Sequence, residues 1–291
     1  MEKVAVIGAG SMGRQIAVQC ALHGVTVALY DLSPEMLANA RRFSEEYLMS
    51  RVQKNRITDG ERIETLERII FAPSLEICVE GTSIVIEAII EDFTLKSRLF
   101  ETLGQLCPPP TILASNSSNI VSSRLAEVTV GPNRVINLHF FNPVLVMDLV
   151  EVGFHPAVSP EVQETAVAFC RVIGRTPVVV RKEVPGFLVN RIFRSLTREA
   201  INLLEGGYAS AEDIDLAVTK GLGHPLGPFR LMDMAGIDVT YLARLDEYQQ
   251  TGEESAKPQT ILERLYQQGR WGKKVGHGFY DYPVEPPGGT S

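Results

Sequence analysis

The chain has 291 residues, enough by length for about two domains, and is 45% hydrophobic and 22% charged, an ordinary globular balance. Its formal net charge of -7 and a pI near 5.4 exclude a whole-surface nucleic-acid binder. Four scattered cysteines, Cys20, Cys78, Cys107 and Cys170, form no CxxC pair, which favours reduced cytosolic thiols over disulfides or a zinc site.

From the N-terminus, MEKVAVI lacks a long apolar signal core, and no later run reaches the roughly 18 apolar residues of a membrane span. The sequence therefore reads as a soluble, cytoplasmic protein with no metal, membrane or nucleic-acid partner. VAVI (4–7), VTVALY (25–30), RIIF (68–71), SIVIEAI (83–89), TILAS (111–115) and RVINLHF (134–140) read as strands, with amphipathic helical stretches between them. That alternation predicts an α/β fold, a Rossmann-type, mostly parallel sheet with right-handed crossovers. DLVEV (148–152) and PVVVR (177–181) extend the sheet at its edge around a helix at 160–173.

After Val184 the character changes. PGFLVNRIFRSLTREAINLLEGG opens with proline and closes with two glycines, the start and stop signals of a helix. Val189, Ile192, Phe193, Leu196, Ala200, Leu203 and Leu204 form its apolar stripe. Helical patterns follow at 210–220, 235–249 and 258–269 without a convincing strand, and PVEPPGGTS reads as a loose tail. The expected organisation is a sheet domain over 1–184 and a smaller all-α domain over 185–291.

The first chemical motif is GAGSMG. Gly8, Gly10 and Gly13 stand in GxGxxG spacing between a strand and a helix. Such a turn gives a tight bend at Gly8, close pyrophosphate approach at Gly10 and close helix packing at Gly13, with the helix N-terminus facing the phosphates. Gly8, Gly10, Ser11, Met12 and Gly13 are thus candidate cofactor contacts. Asp31 ends the second strand, where a carboxylate binds the ribose hydroxyls of NAD. It would repel a 2′-phosphate and no arginine follows it directly, so NAD is expected over NADP.

A nicotinamide needs a partner that manages a proton. His139 lies at a predicted strand end, and Glu151 lies 12 residues on, flanked by valines. A carboxylate on one ring nitrogen fixes the tautomer, leaving the other nitrogen to take a proton from a substrate hydroxyl. Ser118 and Asn116, in ASNSSN, could donate to the same oxygen. By residues alone, bland readings stand beside these: a satisfied core histidine, an edge-strand charge and a helix N-cap.

Taken in order, GAGSMG, IVIEAIIED, ASNSSNI, LHFFNPVLVMDLVEV, VPGFLVNR and GHPLGPFRLMD resemble the L-3-hydroxyacyl-CoA dehydrogenase family across almost the whole chain. The resemblance implies NAD-dependent interconversion of a 3-hydroxyacyl-CoA and a 3-oxoacyl-CoA. His139 would be its base, Glu151 the carboxylate partner, and Ser118 and Asn190 its active-site serine and asparagine, in a cleft between domains. It further implies NAD contacts at Glu91, Lys96, Asn142 and Lys274, a CoA-binding lysine at Lys54, and a homodimer. Arg51, Lys54 and Arg56, in the helix containing RVQKNR, read either as a positive patch for CoA phosphates or as a solvated helix face. Asn119 departs from the serine of many relatives. Rival readings are a dehydrogenase of a free hydroxy acid such as gulonate, and a non-catalytic, crystallin-like member of the fold.

Overall fold

The structure, a computed structural model, describes residues 3–254 and 256–283; apart from Pro283, the tail expected from the sequence lies outside them. Contacts divide the chain into two compact units, Met1–Leu188 and Val189–Ser291. Among the described residues no helix is long and apolar enough to cross a membrane.

In the first unit the chain runs β1 (Lys3–Ile7), α1 (Ser11–Leu22), β2 (Thr26–Tyr30), α2 (Pro34–Gln53), α3 (Asp59–Glu67), β3 (Ile69–Phe71), α4 (Leu75–Val79) and β4 (Ile84–Glu87). It continues through α5 (Phe93–Leu106), β5 (Ile112–Ser115), α6 (Ser122–Ala126), β6 (Val135–Phe140), β7 (Leu149–Gly153), α7 (Pro160–Val172) and β8 (Thr176–Val180). The eight strands form one sheet in the order β3-β2-β1-β4-β5-β6-β7-β8, parallel throughout except for the antiparallel β6–β7 pair. Strand order reverses at β1, between β2 and β4, which is where open sheets of this kind bind ligands beyond the strand ends.

Alternation along the strands explains why the sheet is covered on both faces. Val4, Val6, Val27, Leu29, Ile84 and Ile86 join one buried cluster, while Ala5, Ile7, Ala28 and Val85 join another. The helices start where their caps dictate. Ser33 accepts from the Met36 N–H with Pro34 at the first helical position, Thr58 and Glu61 form a reciprocal capping box, and Asp92 caps α5. The helix α1 differs: Gly10 precedes it with no side-chain cap.

The second unit is helical: α8 (Val189–Glu205), α9 (Ala211–Gly221), α10 (Pro228–Ala235), α11 (Ile237–Thr251) and α12 (Thr260–Gln267). Ile201, Ile214, Phe229, Met232, Ile237 and Leu262 form its core.

Three expectations change. The helix expected from Pro185 begins at Val189, because Gly186 and Phe187 take left-handed φ values of 78° and 47° and turn the chain first. Of its expected stripe, Ile192 is 68% exposed and Ala200 is buried, and the other buried residues of the helix, Thr197 and Ile201, lie outside that stripe. α10 has no counterpart among the expected helices, which left 221–234 without one. Finally, α2 ends at Gln53, and Asn55 at φ 54° closes it as glycine commonly does, so Lys54 and Arg56 lie in the turn past the helix rather than on its face.

Candidate active site

The β1–α1 turn is shaped by the absence of side chains. Gly8 has φ 102°, and a Cβ there would stand 2.6 Å from the Ala88 carbonyl oxygen. A Cβ on Gly13 would stand 1.7 Å from the Gly8 carbonyl oxygen, so α1 packs against the turn only because residue 13 is glycine. Gly10 has open space where its Cβ would be, and the uncapped first turn of α1 leaves its amides without a side-chain partner. Ser11 and Met12 open that turn; Gln15 Nε2 donates to the Ser11 carbonyl at 2.9 Å.

Asp31 follows β2 and is held by backbone: Oδ2 accepts from the Ala9 N–H at 2.7 Å and Oδ1 from the Ser33 N–H at 2.8 Å. A cavity of about 450 Å³ borders the turn, lined by Gly8, Gly10, Asp31 and largely apolar side chains including Met36, Ile89 and Leu99. A backbone cradle for phosphates, one carboxylate for a ribose and an apolar slot for a base are the parts a dinucleotide requires. These residues fit NAD.

Farther along the same strand-end edge, His139 and Glu151 are direct cross-strand partners in the β6–β7 pair, which puts their side chains on one face within reach. Both are buried, at 3% and 0% exposure. His139 Nδ1 lies 2.9 Å from Glu151 Oε2, and Nε2 lies 3.0 Å from Ser118 Oγ. An ionised carboxylate can only accept, so Nδ1 carries the proton and Nε2 accepts from the serine hydroxyl. The remaining Glu151 oxygen, Oε1, accepts from the Leu188 N–H at 2.9 Å. Of the open readings, a histidine satisfied by a single bond is not what the geometry has.

The loop after β5 is organised by two carboxylates. Glu91 Oε1 accepts from the Ser117 hydroxyl and, at 3.2 Å, from the N–H groups of both Ser118 and Asn119. Glu87, at the end of β4, accepts from the Ser115 hydroxyl at 2.7 Å and from the Ile89 N–H at 2.8 Å. Lys96 is 1% exposed and sits between them, 2.5 Å from Glu87 and 3.3 Å from Glu91, with the Ile89 carbonyl also at 3.3 Å. Burial pushes the Glu87 carboxyl up, opposed by the ammonium beside it. The structure thus gives Lys96 the place of an internal counter-ion. Glu87 was not singled out in the sequence, although a carboxylate inside the apolar run IVIE was a visible signal.

Asn116 Oδ1 accepts from the Phe140 N–H at 2.9 Å, which ties the end of β5 to β6. Asn142 Oδ1 accepts from Gln15 Nε2 at 3.3 Å, linking the loop after β6 to α1. Phe187, also missed, stacks on the imidazole with ring centroids 5.1 Å apart. Lys54 and Arg56 are exposed, whereas Arg51 lies over the Tyr47 ring. In the second unit, Asn190 is the second residue of α8, and Lys274 pairs with Asp238 at 2.6 Å.

Comparison with known proteins bears on both units. Residues 3–184 match the family description "3-hydroxyacyl-CoA dehydrogenase, NAD binding domain", and residues 186–282 match "3-hydroxyacyl-CoA dehydrogenase, C-terminal domain". The chain is 39% identical over 290 residues to the mitochondrial hydroxyacyl-coenzyme A dehydrogenase of Rattus norvegicus, covering 97% of this chain and 91% of that one. It is 38% identical to a probable 3-hydroxybutyryl-CoA dehydrogenase of Bacillus subtilis, covering 97% and 98%. Among solved structures, (S)-3-hydroxybutyryl-CoA dehydrogenase of Ralstonia eutropha superposes with a TM-score of 0.89 at 33% identity, covering 97% and 99%.

Proposed function

Because the chain belongs to the 3-hydroxyacyl-CoA dehydrogenase family and interconverts (S)-3-hydroxyacyl-CoA and 3-oxoacyl-CoA with NAD, we propose that His139 is the acid/base of that reaction. When bound, NAD would accept the hydride that leaves C3 of the substrate. In the oxidation direction, His139 Nε2 takes the proton of the 3-hydroxyl, and Glu151 stabilises the imidazolium from Nδ1. Ser118 hydrogen-bonds the reacting oxygen in exchange for the imidazole, and Asn190 positions the substrate. The observation that carries this reading is the continuous Ser118–His139–Glu151 line, anchored at its far end by a backbone N–H.

For the cofactor, the Gly8–Gly13 turn takes the pyrophosphate on its amides, with Ser11 and Met12 opening the helix there, and Asp31 takes the adenosine ribose. Glu91 and Asn142 line the nicotinamide side, Lys96 acts there through Glu91, and Lys274 is a further NAD contact. Lys54 reads CoA phosphates; its support is an exposed cation in a turn beside Arg56, on a chain of net charge -7. The working division of the chain is 1–184 for the cofactor and 185–291 for the helical part. The protein works as a homodimer in the cytoplasm. Exposed apolar side chains on the helical unit, such as Leu222 at 66% and Met234 at 59%, support the dimer.

The deciding experiment follows NADH oxidation with acetoacetyl-CoA, longer 3-oxoacyl-CoAs and free sugar acids, for wild type and His139→Gln. CoA esters should be the better substrates, and the variant should bind NADH while turning over little. Near-normal turnover by folded His139→Gln removes the acid/base assignment. Light scattering on the purified protein tests the dimer.

A further inference from the structure

Three consecutive residues ahead of α8 touch all three groups of the acid/base line. The Gly186 N–H donates to the Ser118 carbonyl at 3.0 Å, and the Leu188 N–H donates to Glu151 Oε1 at 2.9 Å. Between them the Phe187 ring, fully buried, lies over the His139 imidazole with centroids 5.1 Å apart and planes inclined by 17°. Phe141 meets the imidazole as well, at 4.6 Å and 57°.

Phe187 reaches that position with φ 47°, a left-handed backbone that a side-chain-bearing residue seldom adopts. Such a conformation persists where the surroundings over-determine it, and it concentrates at functional sites. The flanking bonds do that here, together with the Phe187 N–H, which donates to the Val184 carbonyl at 3.0 Å.

A second feature of the sequence serves the same ring. Gly153 ends β7 in the register position opposite Asn137, and no positive φ calls for glycine there. What excludes a side chain is space: a Cβ on Gly153 would stand 2.9 Å from Phe187 Cε1. A residue that merely filled a gap would need neither the left-handed turn nor a glycine cleared from a strand.

We propose that Phe187 is a positioning residue for proton transfer to His139: the Gly186–Leu188 turn presses its ring on the imidazole, fixing its plane and keeping water from the Glu151 side of the pair. This rests on the acid/base reading of His139. The Nδ1 bond to Glu151 alone leaves the imidazole free to tilt about that bond. A stacked ring removes the tilt, and Nε2 stays aimed at the oxygen it must deprotonate.

Two perturbations reach the ring from opposite directions. Phe187→Leu removes it, and Gly153→Ala pushes it away with one methyl group. Both are assayed with acetoacetyl-CoA and NADH beside wild type and His139→Gln, together with the KM for NADH and the unfolding midpoint. Each should lower kcat by roughly 10- to 100-fold, the scale of a small misplacement of a reacting group, with the KM for NADH nearly unchanged. The double variant should be no slower than Phe187→Leu alone, because the methyl then meets no ring atom. Lowered unfolding midpoints with intact kcat would make Phe187 a core residue only and overturn the proposal. If Phe187→Leu does not fold, Gly153→Ala decides by the same criterion, and failure of both to fold assigns the turn to stability and overturns it too. Loss of turnover in His139→Gln beside unchanged kcat in the other two sinks this proposal alone. Near-normal turnover in His139→Gln sinks the acid/base reading beneath it.

Discussion

The glycine turn at Gly8–Gly13 and the line Ser118–His139–Glu151 sit on the same edge of one sheet but are made of different materials. The turn is backbone: its contribution is amides, a helix N-terminus and the absence of Cβ atoms at Gly8 and Gly13. The line is side chain: three groups from β6, β7 and the loop after β5, each held by another group, with the Leu188 N–H at one end and Glu91 bracing the loop at the other. A backbone site needs only its local stretch to fold correctly. A side-chain site needs distant stretches to arrive together, and it fails if any one of them shifts.

If that contrast holds, the largest functional loss belongs to the side-chain line. His139→Gln should reduce turnover by roughly 10²–10⁴, the usual span for a positioned acid/base, while leaving NADH binding, read by fluorescence titration, close to wild type. An equal loss of NADH affinity would mean that the two regions are not separable as argued.

Lys96 sharpens the comparison at the point where the regions adjoin. Removing its ammonium leaves Glu87 buried without its counter-ion, so Lys96→Met should destabilise the fold by about 3–5 kcal/mol, measured by denaturant unfolding of the NAD-free protein. A stability close to wild type with weakened NAD binding would instead make Lys96 a direct cofactor contact.

At the backbone site the effects should be smaller. Asp31→Ala deletes the carboxylate held beside that turn, and should raise the KM for NAD by roughly 10- to 100-fold, the worth of hydrogen bonds to a charged group. Discrimination against NADP should relax at the same time, since the repelling carboxylate is gone. A wild type that already prefers NADP would contradict the role given to Asp31.

The smallest effect belongs to neither region. Lys54→Ala, in an exposed turn, should raise the KM for acetoacetyl-CoA by about two- to fivefold at low salt, as befits a solvent-exposed charge contact, and less as salt rises. A truncated thioester lacking the nucleotide should be unaffected. Equal effects on both substrates would mean that Lys54 acts through structure.

The sequence by itself was enough for much of what lies within one contiguous stretch, though not for the start of α8, the end of α2 or the presence of α10. The strand and helix periods that make the sheet, the GAGSMG turn and Asp31 at the end of β2 were legible because each depends on neighbours a few residues away. His139 and Glu151 were visible as candidates, but their pairing required the antiparallel register of β6 on β7, which sets residue 139 opposite residue 151. Spacing alone cannot supply that register. Phe187 was invisible as a site residue, because a phenylalanine in PGFL reads as ordinary core until the left-handed turn lays it on the imidazole. Lys96 stood out only through the resemblance, as an NAD contact, and nothing along the chain showed that Glu87 and Glu91, from the end of β4 and the turn after it, close on its ammonium. The physical reason is the same in each case: propensity and periodicity act along the chain, whereas burial, counter-ions and ring stacking are decided by residues that only tertiary packing brings together.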